Sequence, residues 1–421
     1  MGYKRTVYSG YLVLTRTLIV YLLFLSLPFD MLNGILLNKG IILPVSVAQV
    51  YKFIIIILFF CSFFFNPNSL VVTSTLFLLL ILPTVYQYTK LNNSVELNLF
   101  SDIVKIFRYL MLVLSFFFFV PLLKKNNQNA NKVLFRIVFL SYIILAGNVF
   151  IKYIGFGYPM YEFGDIGSKG YFYAGNEISA LLVILSSIIA MNLWREKKKG
   201  LYVLFFLLTA LVGLGISSKT GLFGIIITFL LIPLKPVSFK TRLGNIFITS
   251  IIILITIPFI LYFAWEYIKT TEMFVRLVYF YDKHDLLTFL FSSRNVYLSD
   301  AFNVYMQEYN QIEKLIGVGQ TKYEYLNDGK IVEIDILDIF FAYGLIGLLL
   351  FLGLIGFLLA QAKRFARNRK YPYASFVFLM LLILLAISSS AGHVFSSGMS
   401  AVFIGFLFSL MYIKIPDEAS K

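Results

Sequence analysis

Three carboxylates stand together where a long polar stretch of the chain gives way to an apolar run. Glu333, Asp335 and Asp338 alternate and then step by three, so that Asp335 and Asp338 are expected on one face of a helix. A carboxylate at such a boundary can act as a general base towards a hydroxyl group. We therefore predict a catalytic role for Glu333 and Asp335, with Asp338 beside them in a substrate-binding role.

Cationic side chains accompany this acid cluster. Arg276 and Arg294 fall in the same polar stretch, and the planar fork of an arginine matches the oxygens of a phosphate group. Several cations with one carboxylate suit group transfer from a diphosphate, because the cations stabilise the departing diphosphate while the carboxylate takes a proton from the attacking hydroxyl. Further substrate-binding candidates lie on short turns elsewhere in the chain: Lys169, Asn176, Lys219 and His393.

Apolar runs of membrane length separate these candidates. Of the 421 residues, 59% are hydrophobic and 14% charged, with a mean hydropathy of +0.85, whereas a soluble domain has about 25% charged residues. A membrane-spanning helix needs about 20 apolar residues, because its backbone polar groups must bond to one another. We predict one all-α, polytopic membrane domain over residues 1–421. Its twelve or so transmembrane helices are expected at about 11–29, 41–65, 69–89, 103–123, 133–154, 177–193, 200–217, 219–234, 245–264, 336–361, 374–391 and 394–413.

The distribution of Lys and Arg predicts an orientation for these helices. With the N-terminus inside, the cytoplasmic segments hold 20 of the 36 Lys and Arg, and the short outer loops hold five. The positive-inside rule then places both termini in the cytoplasm. It also makes residues 265–335, between the ninth and tenth helices, one large extracytoplasmic loop. The net charge of +15 needs no nucleic acid as a partner, because basic flanks beside anionic lipid account for it.

Cysteine and histidine usage is typical of a chain without a metal or redox centre. Cys61 is the single cysteine, and His284 and His393 lie far apart without the spacing of metal ligands. The chain also lacks a Walker loop and a dinucleotide-binding glycine motif. We therefore expect no metal and no cofactor.

Two further groups of charged residues have two interpretations each. Arg16 and Lys52 fall within apolar runs, where charged side chains usually face a cavity or a partner, unless they extend to the interface. Asp102, Lys105 and Arg108 follow near-helical spacing at the start of the fourth run. They are either functional or an ion-pair cluster at the membrane surface.

The order of several motifs resembles that of the bacterial O-antigen ligases and Wzy-type polysaccharide polymerases. The resemblance covers about residues 165–410, and the first four runs add only topology to it. The motifs are Lys169-Gly170-x-Phe172-x-x-Gly175-Asn176, Ser217-Ser218-Lys219-Thr220-Gly221, Ser293-Arg294, Gly317-Val318-Gly319, Glu333-x-Asp335-x-x-Asp338, Tyr343-Gly344-Leu345-Ile346-Gly347 and Gly392-His393.

This resemblance implies a GT-C-like glycosyltransferase that works outside the cytoplasmic membrane on undecaprenyl-diphosphate-linked oligosaccharides. Arg276 and Arg294 would contact diphosphate or sugar, and Glu333 would occupy the position of the catalytic base. Lys169 and Lys219 stand where arginine is commoner in the family, and lysine lacks the guanidinium fork. A chain-length regulator and a flippase are the partners that the resemblance implies.

Three functions remain open at the level of the sequence. Ligases of the family often carry a histidine near the position of Glu333, so the acids found here favour a polymerase of polysaccharide repeat units over a ligase. Twelve spans would also suit a lipid-linked oligosaccharide flippase or another transporter. Such proteins often show internal repeats, and no convincing repeat relates the two halves of this chain.

Overall fold

The fold is that of a computed structural model, which describes residues 2–64, 66–90, 99–125, 128–162, 164–173, 175–234, 262, 265–266, 269–270, 272–283 and 285–415. Helices make up 79% of the structure, and the described residues form no strand, which confirms the all-α class. The helices are α1 (Gly2–Asn38), α2 (Val47–Phe63), α3 (Pro67–Thr89), α4 (Leu99–Lys124), α5 (Gln128–Ile151), α6 (Gly175–Arg195), α7 (Lys199–Ile216), α8 (Lys219–Leu231), α9 (Glu272–Lys283), α10 (Leu286–Phe291), α11 (Arg294–Glu308), α12 (Gln311–Ile316), α13 (Gln320–Leu326), α14 (Asp335–Ala366), α15 (Ala374–Ala391) and α16 (Ala401–Ser409).

Eleven of the predicted apolar runs coincide with helices. Seven of these helices are long and apolar enough to cross a membrane: α1 from Leu14, α3, α4, α5, α6, α7 and α14. Four are apolar but shorter, namely α2, α8, α15 and α16. The predicted ninth run, 245–264, lies outside the described residues except for Tyr262. The polytopic membrane fold is therefore supported, while the number twelve stays a prediction.

Two helices form the centre of the bundle. The most apolar window of α6 is 72% buried and that of α4 is 61% buried. The short helix α16 is buried along its whole length and packs on α4. A Cβ atom at Gly405 would lie 2.0 Å from Ser115 Oγ, so the absence of a side chain allows this close approach. Such small residues let helices in a membrane gain van der Waals contact.

One end of the bundle gathers the polar connections, and we call it the site end. Tyr158 in the 152–174 connection donates to Gly34 O of α1 at 3.3 Å. Ser397 donates to Glu177 at the start of α6. At the opposite end the Arg195 guanidinium lies 4.2 Å from the ring centroid of Tyr373. This opposite end carries the basic connections, and we call it the basic end.

The second half of the polar stretch before α14 is largely helical and docks on the bundle. Glu313 of α12 accepts hydrogen bonds from Gln87 of α3 at 2.8 Å and from Lys322 at 3.2 Å. Asp102 of α4 accepts from the backbone and hydroxyl of Thr321 at 2.8 and 2.6 Å. The second half of the predicted loop is thus a set of short helices held against α3 and α4 by buried polar groups.

Helix α14 is broken at Gly344, which the hydropathy of the run 336–361 does not reveal. Gly344 has φ 64° and ψ −163°, a conformation essentially restricted to glycine. The Ala342 carbonyl freed by this break accepts from Val318 N at 3.1 Å and from Gly319 N at 2.9 Å. Backbone groups in a membrane helix must find such partners when the helix unwinds. Two glycine motifs that are far apart in the sequence therefore interlock.

Candidate functional site

An ion pair between Glu333 and Arg294 forms the centre of the candidate site. Arg294 Nη2 lies 2.7 Å from Glu333 Oε2, and Arg294 Nε donates to the Glu333 carbonyl at 3.2 Å. The Arg294 side chain is 9% exposed, while that of Glu333 is 37% exposed. The arginine is thus a buried support, and the carboxylate faces the accessible side. This arrangement presents one carboxylate with a compensating cation at the site end of the bundle.

The backbone around this pair is strained. Eight non-glycine residues among those described have a positive φ, and four of them lie here: Ser292 at 51°, Ser293 at 67°, Glu333 at 59° and His393 at 53°. Such conformations cost about 1–3 kcal/mol each and concentrate at functional sites. Half of the strained positions therefore fall within one small neighbourhood, which favours a functional role for it.

Asp335 has its carboxylate fully engaged by the protein. It is 1% exposed; Oδ2 accepts from Ser388 Oγ at 2.7 Å, Val394 N at 2.9 Å and Phe395 N at 3.0 Å. Oδ1 accepts from Ser396 Oγ at 2.5 Å. With these donors, Asp335 anchors the connection between α15 and α16. Its predicted catalytic role stays a prediction, and the geometry favours a positioning role.

Asp338 organises a different part of the site. It is 3% exposed, and its Oδ1 accepts from Tyr323 Oη at 2.9 Å and from Val332 N at 3.1 Å. Val332 precedes Glu333 directly, so Asp338 fixes the backbone that presents the candidate base. The two aspartates lie three residues apart on α14 but contact different elements.

The connection 392–400 links the acid cluster to the rest of the site end. A Cβ atom at Gly392 would lie 1.9 Å from the Glu333 carbonyl oxygen, so Gly392 packs directly on the candidate base and His393 follows it. Farther along, Ser397 Oγ donates to Glu177 Oε2 at 2.5 Å, and Met399 N donates to the same oxygen at 3.3 Å. This segment therefore joins α14, α15 and α6.

A family model for O-antigen ligase-like membrane proteins matches residues 14–235 and 278–418. The chain belongs to this family. Membership supports a membrane enzyme of O-antigen or polysaccharide assembly, and Arg294 and Glu333 both fall within the matched ranges. A comparison with curated proteins found no match.

Two other motifs of this O-antigen ligase-like chain meet at a corner beside α6. A Cβ at Gly167 would lie 2.4 Å from the Ile216 carbonyl oxygen, and one at Gly221 would lie 2.9 Å from Ser179 Cβ. Lys169 is held between two aromatic rings, with Nζ 5.6 Å from the centroids of both Tyr158 and Tyr173. Lys219 is exposed at the first position of α8.

The structure describes only some of the remaining predicted side chains. The side chains of Asn176 and Arg276 lie outside the described residues, although their backbones belong to α6 and α9. The structure brings Glu333, Arg294 and the 392–393 turn together, and it puts Lys169 and Lys219 at the corner beside α6. Sequence reasoning missed the residues that hold the acids in place, namely Tyr323, Ser388 and Ser396. Single hydroxyl groups within apolar helices and turns give no pattern that would reveal such partners.

Proposed function

We propose that this protein is a polymerase of polysaccharide repeat units. It would transfer a growing glycan from its undecaprenyl diphosphate carrier to the terminal sugar of another lipid-linked repeat. The observation that supports the proposal most is the Glu333–Arg294 pair, a partly exposed carboxylate on strained backbone beside a buried guanidinium. Family membership supports the same class of reaction.

The proposed step is a direct displacement at the anomeric carbon. A hydroxyl oxygen of the acceptor sugar forms the new bond to the anomeric carbon, and its proton passes to the Glu333 carboxylate. The bond between the anomeric carbon and the diphosphate oxygen breaks, and the diphosphate leaves with the electron pair. Cations stabilise this negative charge. Direct displacement inverts the configuration at the anomeric carbon.

Arg294 has two tasks in this mechanism, to orient the base and to contact the departing diphosphate. Its Nε and Nη2 groups hold the backbone and carboxylate of Glu333, which orients the base before the substrate arrives. Arg276 is the second arginine that we assign to the diphosphate. Lys169 and Lys219 are assigned to the saccharide or its phosphates at the corner beside α6.

The proposal includes a location and partners. The basic end of the bundle is assigned to the cytoplasm by the positive-inside rule, which puts the site end and the helices α9–α13 on the outer face of the bacterial cytoplasmic membrane. A chain-length regulator and a flippase are the proposed partners. The lipid-linked sugar is already activated, so the step requires no nucleotide at that face.

A ligase is the second candidate function. The matching family model takes its description from O-antigen ligases, and His393 directly follows the glycine that packs on Glu333. A ligase would use the same displacement chemistry but pass a finished glycan to a different acceptor.

The size distribution of surface and lipid-linked glycans in a deletion strain tests the proposal. Gels and mass spectrometry should show single lipid-linked repeats on the outer face and no long chains. Long lipid-linked chains that remain unattached to their acceptor would identify a ligase instead. Repeats trapped on the inner face would identify a flippase and contradict the proposed mechanism.

A further inference from the structure

A cavity of about 340 Å³ lies at the site end between α1, α2, α4 and α6. Four charged side chains line it: Asp30, Lys52, Arg108 and Glu177. All four belong to apolar helices, where charged groups are costly and usually serve a pathway or a ligand. Among the side chains that the structure describes, none that sequence analysis assigned to the catalytic site lines this cavity.

The pairing inside the cavity leaves an acceptor without a donor. Lys52 Nζ lies 2.7 Å from Asp30 Oδ1, while Asp30 Oδ2 is buried and has no hydrogen-bond partner among the described residues. Asp30 as a whole is 8% exposed. A buried carboxylate oxygen without a donor is destabilising. A ligand with a hydroxyl group would satisfy it.

The cavity also offers cationic donors. Arg108 is exposed and makes no hydrogen bond or ion pair with another described residue. Its guanidinium carries five N–H donors, and the Lys52 ammonium has three, of which Asp30 uses one. A phosphate group accepts such donors in bidentate geometry. The cavity therefore presents donors for an anion beside an acceptor for a hydroxyl, a combination that matches a sugar joined to phosphate.

The 392–400 segment connects this cavity to the candidate base. Gly398 lines the cavity, where an added Cβ would lie 3.5 Å from Arg108 Cγ and 3.6 Å from Lys52 Nζ. Gly392 packs on Glu333. The two glycines are six positions apart, and an extended chain of that length spans at most roughly 22 Å. A ligand in the cavity is thus within reach of the Glu333 site.

We propose that this cavity binds the glycosyl phosphate or diphosphate headgroup of a second lipid-linked glycan. Arg108 and Lys52 contact its phosphate oxygens, and the free oxygen of Asp30 accepts from a sugar hydroxyl. The inference rests on the proposed function in one respect, namely that a polymerase handles two lipid-linked glycans at once. It adds a headgroup site separate from the Glu333–Arg294 pair.

Calorimetric titration of the full-length protein in detergent with farnesyl diphosphate tests the phosphate contacts. We expect two molecules bound per chain, of which one is lost, with at least a tenfold weaker affinity, in Arg108→Gln and in Lys52→Met. The charge-matched control is Lys105→Met on the same helix, because Lys105 pairs with Glu324 outside the cavity. The control should keep both molecules. A single binding site that is unchanged in Arg108→Gln and Lys52→Met would overturn the proposal.

Two substitutions at Gly398 test the cavity without changing its charge. Gly398→Ala adds a Cβ with ordinary contacts and should bind as the unmodified protein does, whereas Gly398→Phe fills the space and should lose the same molecule. Binding by Gly398→Phe at full stoichiometry would contradict the assignment. Elution volume and helical circular dichroism show whether each variant is folded.

Two further titrations show whether the cavity binds a free anion or a lipid headgroup, and whether Asp30 contacts a sugar hydroxyl. Inorganic diphosphate that binds the cavity as tightly as farnesyl diphosphate would identify the free anion as sufficient, and a preference for farnesyl diphosphate would identify the lipid. Glucose 1-phosphate should bind more tightly than inorganic phosphate, and Asp30→Asn should remove the difference. Equal binding of the two before the substitution would refute the sugar contact. Glu333→Gln should bind all titrants normally. The proposed function is tested separately by the glycans of a strain that carries this variant.

Discussion

At the scale of single residues, the three carboxylates of the site differ in their burial and in the donors that surround them. Asp335 and Asp338 are buried and accept hydrogen bonds from backbone and hydroxyl donors. Glu333 accepts from Arg294 with one carboxylate oxygen, and its side chain is 37% exposed. A group that accepts a proton from a substrate must be reachable by that substrate. Glu333 meets this condition best among the three acids.

Replacement of Glu333 or Arg294 is expected to abolish polymer formation. Glu333→Gln removes the proton acceptor, which is worth about 10²–10⁴-fold in rate for a general base, and Arg294→Ala removes the group that orients it. The measurement is polymer length on a gel, with expression and membrane insertion checked by immunoblot. Glu324→Gln, which changes a partly exposed pair with Lys105 and a hydrogen bond from Gln320, should leave the polymer normal. Normal polymer in both site variants would refute the assignment of the site.

Asp335→Asn is expected to destabilise the protein rather than act only on the reaction. The amide would face donors that now meet a carboxylate, and each unsatisfied buried donor costs about 1–3 kcal/mol. The thermal midpoint in detergent should fall by several degrees, and by more than in Glu333→Gln, whose amide oxygen can still accept from Arg294. An unchanged midpoint together with lost activity would instead restore Asp335 to a catalytic role.

At the scale of elements, the interlock between α14 and the 317–319 turn holds the site in place. A Cβ at Gly317 would lie 2.2 Å from the Ala342 carbonyl oxygen, and one at Gly344 would lie 2.5 Å from both Gly317 N and the Leu315 carbonyl oxygen. The first part of α14, which carries both aspartates, is therefore fixed relative to α12 and α13.

Gly344→Ala is expected to destabilise the fold by roughly 3 kcal/mol or more, since it adds backbone strain to an overpacked contact. Gly353→Ala on the same helix is the matched control, because an added Cβ there meets nothing within 4 Å. Thermal unfolding followed by circular dichroism compares the two. Equal midpoints would show that the break at Gly344 does not constrain the structure.

The docking of α12 on α3 is expected to weaken in acid. Burial opposes ionisation of Glu313, but hydrogen bonds from Gln87, Asn310 and Lys322 outweigh it and lower the pKa of this carboxyl below its ordinary value of 4.5. A lowered pKa in the folded state means that the stabilisation is complete above about pH 4.5 and is lost as the pH falls through the folded value.

Hydrogen exchange of residues 311–316 between pH 7 and pH 3.5, corrected for the intrinsic rate, measures this weakening. Protection should decrease at the acid end, and Glu313→Gln should show low protection throughout. Glu308→Gln, a change at an exposed glutamate, should behave as the unmodified protein. Protection that is independent of pH in the unmodified protein would contradict the expectation.

At the scale of the whole molecule, the two ends of the bundle differ in charge: cations over aromatic rings lie at the basic end, and ion pairs lie at the site end. Lys124 and Arg195 lie over the rings of Tyr412 and Tyr373 at the basic end, while the acids described above lie at the site end. This difference is expected of a membrane protein whose basic end faces the anionic lipids of the cytoplasmic leaflet.

Single-cysteine labelling should reveal this orientation. In a Cys61→Ser background, Asp328→Cys in the exposed turn after α13 should react with a membrane-impermeant maleimide in intact cells. Lys197→Cys in the turn after α6 should react only after the membrane is opened. The reverse pattern would invert the topology and place the site on the cytoplasmic face.

The sequence predicted the membrane class and eleven helical runs, because the length of an apolar run is a local property. It could not predict the break at Gly344, since hydropathy does not depend on φ. Nor could it predict the pairing of Lys52 with Asp30, whose side chains meet only when α1 and α2 pack together. The separation of Asp335 from Asp338 likewise depends on which neighbours fold against α14.

The turn at 327–330 has a practical consequence for imaging this protein. Gly329 is exposed with nothing within 4 Å of an added Cβ, yet Asn327 Nδ2 is bonded to the Tyr323 carbonyl at 2.8 Å and Val332 N is bonded to Asp338 on the far side. An epitope grafted there would be accessible to an antibody fragment and rigidly attached to the bundle. It would supply the fiducial mass that electron cryomicroscopy needs to align a 48.3 kDa membrane protein.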